Sequence, residues 1–378
     1  IVTKRDKEPD VVVIGAGIAG LSVAYELVQR NVRVCVVEME DNPGYHATGR
    51  SAATFVNCYG NGIIRCISAA SRSFFDYPPQ GFSDTPLLSK RGALYVAGKN
   101  QTRHLNSFLS EPRNAGFVEQ IRPEKALAKV PTLRCGAVFA AAFEKEAMDI
   151  DVNALLMGYL RGFREAGGML VTGSKIQALK RIEGAWEIKG PSQPIVAPIL
   201  VNAAGAWGDQ IAHLAGTPPM GLLPKRRTAL TIDPQIPHRD WPLTISIDET
   251  WYFRPEGGYL LISPADETLS VPCDSQPDEL DIAKCVALIE EVTNIKIGKI
   301  VSKRAGLRTF VPDGSPVCGY AEDIDGFFWL VGQGGYGIQT APALSVIAVD
   351  MILKQKKDNG PLIQGIMAED LSPARITD

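Results

Sequence analysis

The stretch Asp10–Glu38, DVVVIGAGIAGLSVAYELVQRNVRVCVVE, constrains the fold more than any other part of the chain, because it spells a complete βαβ unit. The apolar run Val11–Ile14 leads into a turn carrying Gly15, Gly17 and Gly20. An apolar-periodic helix follows, and a second apolar run ends at Glu38. In such a unit the first glycine allows the tight turn and the second lets a pyrophosphate approach the backbone. The third lets helix and strand pack closely. The amides that open the helix, Ala16 to Ala19 with Ile18 between them, then point at the phosphates. Glu38 stands about 20 residues past the glycines, where a carboxylate accepts hydrogen bonds from a ribose 2′-OH. The same carboxylate repels a 2′-phosphate, which disfavours NADP and leaves FAD and NAD.

At 378 residues the chain exceeds one small core, and two domains are expected. Lys+Arg number 39 against 42 Asp+Glu, so no basic excess draws nucleic acid or an anionic membrane surface. No apolar stretch is long enough to span a bilayer, and IVTKRDKEPD at the start lacks the apolar region of a signal peptide. The seven cysteines show no CxxC spacing. That argues against a disulfide framework or a metal site and for a reducing compartment. The expectation is a cytoplasmic protein, with peripheral contact at the inner membrane left open.

Downstream, Asp41–Asn61 is too long for a simple connector. Apolar spacing predicts a helix over Ile63–Phe75, stopped by Pro78-Pro79, and a helix over Val152–Ala166 with Asp151 as its N-cap. Short strands are expected at Ala93–Val96, Ala137–Phe143, Met169–Thr172, Ile176–Leu179 and Ala185–Ile188, with a buried run at Pro198–Val201. Trp251–Phe253 and Tyr259–Ile262 read as a hairpin around Glu256-Gly257-Gly258. A helix over Glu279–Val292, a strand over Phe327–Val331 and a helix from about Ala341 to Leu353 complete the pattern. Parallel-type strands lie at both ends and in the middle, with β-rich segments between them. One domain is therefore assembled from discontinuous pieces.

Four further segments decide between the nucleotides. PGYHATGRSAA (Pro43–Ala53), VNAAGAW (Val201–Trp207), AGLRTFVPDGSPV (Ala305–Val317) and GQGGYGIQTAPA (Gly332–Ala343) together resemble the D-amino-acid oxidase-like flavoproteins. Within these, the likeness is to the FAD-dependent D-arginine dehydrogenases and covers essentially the whole chain. The resemblance implies an α/β fold. A Rossmann-like FAD-binding domain would be built from 1–80, 144–222 and 305–378, and an α+β substrate domain with a mainly antiparallel sheet from 81–143 and 223–304. It implies noncovalent FAD. Thr48, Gly49, Arg50, Ser51, Ala52 and Ala53 would approach the flavin and pyrophosphate. Asn202, Ala203, Gly205 and Trp207 would bring backbone against the cofactor, with Ile176 nearby. Gly334, Gly335, Tyr336, Gly337, Ile338, Gln339 and Thr340 would set amides and a helix N-terminus beside the flavin edge that gains negative charge on reduction.

The resemblance also implies the chemistry: hydride transfer from Cα of a D-amino acid to flavin N5. The resulting imino acid hydrolyses to a 2-oxo acid and ammonia. Arg227 and Arg308 match the positions that hold the substrate carboxylate, for which guanidinium is the natural forked partner. Tyr59 and Tyr252 match tyrosines that cover the pocket, and Gly335 a glycine whose carbonyl receives the substrate amine. The chain departs from the D-arginine pattern at two positions. Ala93 replaces the acid that pairs with the substrate guanidinium, and Thr54 replaces a histidine. A buried guanidinium without its carboxylate is costly, so neutral or apolar D-amino acids are expected to be preferred over D-arginine. Leu261 stands where sarcosine oxidases carry a lysine over the flavin, which points to a quinone or other acceptor rather than O2. Oxidation of secondary amines of the sarcosine, proline or hydroxyproline type fits the same scaffold. An RNA-modifying flavoprotein conflicts with the charge balance, and a noncatalytic relative conflicts with the retained Arg227, Arg308 and Tyr252.

Overall fold

A computed structural model of the chain describes residues 8–190, 193–353 and 362–376. Residues 1–7, and with them most of the leader reading above, lie outside these. The βαβ unit forms as expected: strand Val11–Ile14, helix Ile18–Val28 and strand Val34–Val37, with both strands wholly buried and parallel. They belong to a six-stranded sheet ordered 317–320, 327–331, 199–202, 11–14, 34–37, 169–171, parallel except for its first pair. Side chains alternate across this sheet. Val11, Val13, Val34, Val36, Val201 and Phe328 pack under helices 18–28, 62–76, 152–165 and 337–352. Val12, Ile14, Cys35, Val37, Leu200 and Trp329 face a three-stranded antiparallel sheet, 178–182, 185–189 and 195–197, through Trp186 and Ile188. Continuous apolar strands follow from burial on both faces.

The second sheet is mainly antiparallel. It includes the hairpin Tyr252–Glu256 and Tyr259–Ser263, the strand Leu223–Ile232 and, beyond it, Ile300–Phe310. Leu230, Ile232, Phe253, Leu260 and Ile262 turn one face toward Ile282, Cys285 and Ile289 of the helix Glu279–Val292. The opposite face, carrying Arg227, Ala229, Tyr252 and Arg308, looks into the central cavity. The strand 300–310 runs unbroken across the 304/305 division, and 140–144 across 143/144, so this sheet reaches into segments grouped with the nucleotide-binding part.

Local signals account for most of the elements. The Asp151 carboxylate accepts from the Ala154 amide at 2.8 Å, starting helix Val152–Glu165, and Asn61 does the same for Gly62–Asp76 through Ile64 at 3.0 Å. Some boundaries differ from expectation. Residues 135–137 form a 3-10 turn and the strand begins at Ala140, while Ala178–Ile182 replaces Ile176–Leu179. The last long helix starts at Gly337 rather than near Ala341, because tertiary packing overrides the poor helix propensity of glycine. The long loop 41–61 includes a two-residue strand, Thr54–Phe55, paired with Met148 and Asp149.

Candidate active site

A cavity of about 690 Å³ runs from the βαβ turn to the cavity-facing side of the second sheet. At the end formed by the βαβ turn the glycines differ in what they permit. A Cβ on Gly20 would sit 1.8 Å from the Gly15 carbonyl oxygen, and one on Gly15 would sit 2.5 Å from that of Ala203. Both positions must stay bare for helix, turn and neighbouring strand to meet. At Gly17 the nearest atom is the Thr48 hydroxyl at 3.3 Å, so its missing side chain leaves open space against the cavity. That bare surface is what a pyrophosphate requires. Glu38 is buried, and its carboxylate accepts from the Ala16 amide at 2.6 Å and the Glu40 amide at 3.0 Å. This anchors it at the end of its strand, where it lines the cavity.

Of the expected cofactor residues, Gly15, Gly17, Ile18, Ala19, Glu38, Thr48, Arg50, Ser51 and Ala52 line the cavity. So do Ile176, Ala203, Gly205, Trp207, Gly334, Gly335, Gly337 and Ile338. The rest stand behind this wall. Ala16 is tied to Glu38, Gly20 is packed on Gly15, and Gly49 is packed on the Gly44 carbonyl. The Ala53 carbonyl accepts from Arg254, and the Asn202 side chain bonds the Gly208 carbonyl. Tyr336 lies edge-on to Tyr59, Gln339 joins Val56 to Ser68, and the Thr340 hydroxyl caps the Tyr336 carbonyl. The Arg50 guanidinium is spent on the carbonyls of Ser275 and Ala305 and on Asp274, so it clamps the 43–53 loop onto the second sheet.

At the other end, strands 223–232 and 300–310 set two arginines on one face. Arg227 lies opposite Gly306, and Arg308 lies opposite Lys225. Arg227, Tyr252, Arg308 and Gly335 line the cavity, and the Tyr59 hydroxyl accepts from Arg308 Nη1 at 3.1 Å. Among the described residues no carboxylate lies within ion-pair distance of Arg308. Burial works against its charge, but the phenols of Tyr59, Tyr252 and Tyr336 outweigh it and hold the guanidinium above the ordinary arginine range. Gly335 abuts that group: a Cβ there would sit 3.0 Å from Nη1. Arg227 is different. Its Nε donates to the Asp266 carbonyl at 2.9 Å and its Nη2 to Glu267 at 3.0 Å. The two cations therefore do not offer equal welcome to an anion.

The positions that depart from the D-arginine pattern are apolar or already engaged. Ala93 is buried inside its strand, the Thr54 hydroxyl accepts from Arg254, and Leu261 is fully buried with Ala229, Tyr252 and Ala265. Sequence reasoning missed Glu144, a fully buried carboxylate that accepts from both Asn57 nitrogens, the Cys58 amide and the Tyr95 hydroxyl. It fixes the turn that delivers Tyr59. Burial raises the Cys58 thiol far above the usual range, with help from the Glu144 charge, which keeps it a neutral packing group. Asp266 and Glu267 were also missed. No local signal marked them: they lie 39 and 40 positions from Arg227 in the chain and meet it only through sheet pairing.

The parallel sheet, the glycine turn, the buried acid that ends the second strand and the arginine-bearing second sheet together frame one cavity suited to a dinucleotide. The sequence profile of the FAD-dependent oxidoreductase (DAO) family matches residues 10–351, and the chain belongs to that family, with FAD as its cofactor. Human mitochondrial dimethylglycine dehydrogenase is 24% identical over 93% of this chain, which spans only 43% of that protein's length. Bovine FAD-dependent oxidoreductase domain-containing protein 1 is 28% identical, covering 91% of this chain and 81% of its own. Among solved structures, L-proline dehydrogenase from P. horikoshii superposes with a TM-score of 0.83 at 21% identity, covering 98% of both chains. Glycine oxidase from Geobacillus kaustophilus gives 0.81 at 17%, covering 93% of this chain and 96% of that one. Among the described residues no helix is long and apolar enough to cross a membrane.

Proposed function

We propose that the chain oxidises small amines that carry a carboxylate, with neutral or apolar D-amino acids as the preferred class. The observation that carries this reading is Arg308. It is a cavity-facing guanidinium that pairs with no carboxylate among the described residues, framed by Tyr59, Tyr252 and the Gly335 backbone. A substrate carboxylate supplies the missing counter-charge through a forked contact. FAD supplies the hydride acceptor. The chain's own part is to fix the carboxylate, keep the amine neutral and exclude water from the Cα–H bond, which needs no acid–base side chain. The imino acid so formed hydrolyses in water to a 2-oxo acid and ammonia.

Two details support the finer specificity. Ala93, fully buried where the D-arginine pattern has an acid, leaves that position without charge, and Glu267 is already shared between Lys225 and Arg227, which favours neutral side chains over D-arginine. The buried Leu261 places no cation in its stretch, in keeping with a quinone or another acceptor in place of O2. A second reading, oxidation of secondary amines, has its own support: relatives include a dimethylglycine dehydrogenase and an L-proline dehydrogenase. Both readings use the same carboxylate anchor. An anaerobic panel of D- and L-amino acids, sarcosine and proline with an artificial dye acceptor separates them. Turnover of neutral D-amino acids well above the secondary amines supports the first. A D-arginine preference of a hundredfold or more refutes the specificity argued from Ala93.

A further inference from the structure

Of the cavity-lining guanidiniums of the second sheet, Arg308 is open and Arg227 is closed by a neighbouring acid. Lys225 and Arg227 lie on the same strand, and a single carboxylate, Glu267, takes Lys225 Nζ on one oxygen and Arg227 Nη2 on the other, both at 3.0 Å. The segment that carries it is built to hold it there. The Ser263 hydroxyl donates to the Thr228 carbonyl and accepts from the Ala265 amide. Ala265 has φ +50°, a left-handed conformation rarely adopted by residues with a Cβ. The Asp266 carboxylate then accepts from both the amide and the hydroxyl of Thr228. None of these contacts involves the Glu267 side chain, so the backbone that presents it is fixed independently of the ion pairs it makes.

We propose that Glu267 sets the charge selectivity of the substrate pocket, admitting molecules with one carboxylate and turning away those with two. The inference rests on the reading that Arg308 receives the substrate carboxylate. Arg308 and Arg227 are diagonal neighbours on adjacent strands, which places their backbones about 7–8 Å apart. A second carboxylate on a short side chain reaches Arg227 from a first one seated on Arg308. With Glu267 present, Arg227 is already paired, so a second carboxylate finds no free cation there and must displace Glu267 to gain one. Burial pushes Glu267 upward, but the hydrogen bond from Lys225 and the charges of Lys225, Arg227 and Arg308 outweigh it, so the group stays ionised at neutral pH.

The test measures binding, independently of turnover. The FAD-loaded protein is titrated with propionate and with succinate, following the flavin absorbance change and, separately, calorimetric heat, for wild type and for E267Q, E267A and R308M. Wild type binds propionate more tightly than succinate. E267Q and E267A tighten succinate tenfold or more while changing propionate less than threefold. R308M weakens propionate by a hundredfold or more. If R308M leaves propionate binding intact, the carboxylate-anchor reading fails and this inference falls with it. If R308M acts as stated but neither Glu267 variant shifts the succinate-to-propionate ratio, the selectivity role alone is overturned.

Discussion

Replacing Arg308 by methionine should separate binding from stability in an unusual way. Most buried arginines are held by acids of their own chain, so removing one strands a carboxylate and destabilises the fold. Here the hydrogen-bond partner is the Tyr59 hydroxyl, a neutral group that can turn to another partner or to water. The charge faces a cavity rather than an ion pair, so methionine removes a desolvation cost while keeping most of the volume. The expected melting temperature of the ligand-free protein is therefore unchanged or slightly raised. Ligand binding behaves oppositely. Each charge-assisted hydrogen bond contributes roughly 1.5–3 kcal/mol, so a forked pair is worth about 3–5 kcal/mol after allowing for imperfect additivity. At about 1.4 kcal/mol per decade, R308M should weaken carboxylate ligands, and lower kcat/KM, by about a hundredfold to a few thousandfold. R308K keeps the charge but loses the fork, and should fall between the two. Thermal denaturation together with propionate titration of the three proteins measures both quantities. A large drop in melting temperature in R308M, or less than a tenfold loss of propionate affinity, would refute the reasoning, because either result makes the guanidinium a structural group.

Other perturbations follow from the same geometry. G17A should fold normally, since its new Cβ meets only the Thr48 hydroxyl, yet lose FAD affinity by tenfold or more. G20A should fail to fold or lose several kcal/mol, because its Cβ would lie 1.8 Å from a backbone oxygen. Equilibrium unfolding and FAD fluorescence titration distinguish the two, and identical behaviour would contradict the assignment of their roles. The Arg50–Asp274 clamp should respond to acid. Its hydrogen bond from Arg50 holds Asp274 below the usual carboxylate range, so its contribution is intact above the unfolded value and is lost as pH falls below about 4. FAD release followed by fluorescence should show a step there that D274N flattens, with an effect of a few-fold only, since exposed pairs are weak. A D274N profile identical to wild type would remove the clamp from the account.

Legibility in the sequence tracked how local each determinant was. The βαβ unit, the Asp151 cap and the helix Glu279–Val292 could be read because spacing and capping act within a few residues. The strand Ile300–Phe310 could not. Its first half, with Val301, Ser302 and Lys303 all exposed, has no alternation, and it is held instead by an antiparallel partner some eighty residues earlier in the chain. The start of the last helix was hidden for the opposite reason, since Gly337 has low intrinsic helix propensity and is recruited by packing. At the site, the glycine turn was legible from its motif and both arginines from the family resemblance, and the structure brings them to one cavity. What no motif conveyed was the inequality of the arginines. That depends on Asp266 and Glu267, which reach Arg227 through sheet pairing, and on Glu144, which shapes the Tyr59 turn from the far side of the chain. Charge complementarity between non-adjacent strands becomes visible only once the register is known.

The most direct test of the central claim is anaerobic mixing of the FAD-loaded protein with D-alanine and, separately, with D-alaninamide, while the flavin absorbance is followed. Loss of the oxidised-flavin band with D-alanine, and a hundredfold or slower loss with the amide, is the expected result, because the amide offers Arg308 no negative charge. Equal rates with the two compounds would contradict the carboxylate anchor on which the account depends.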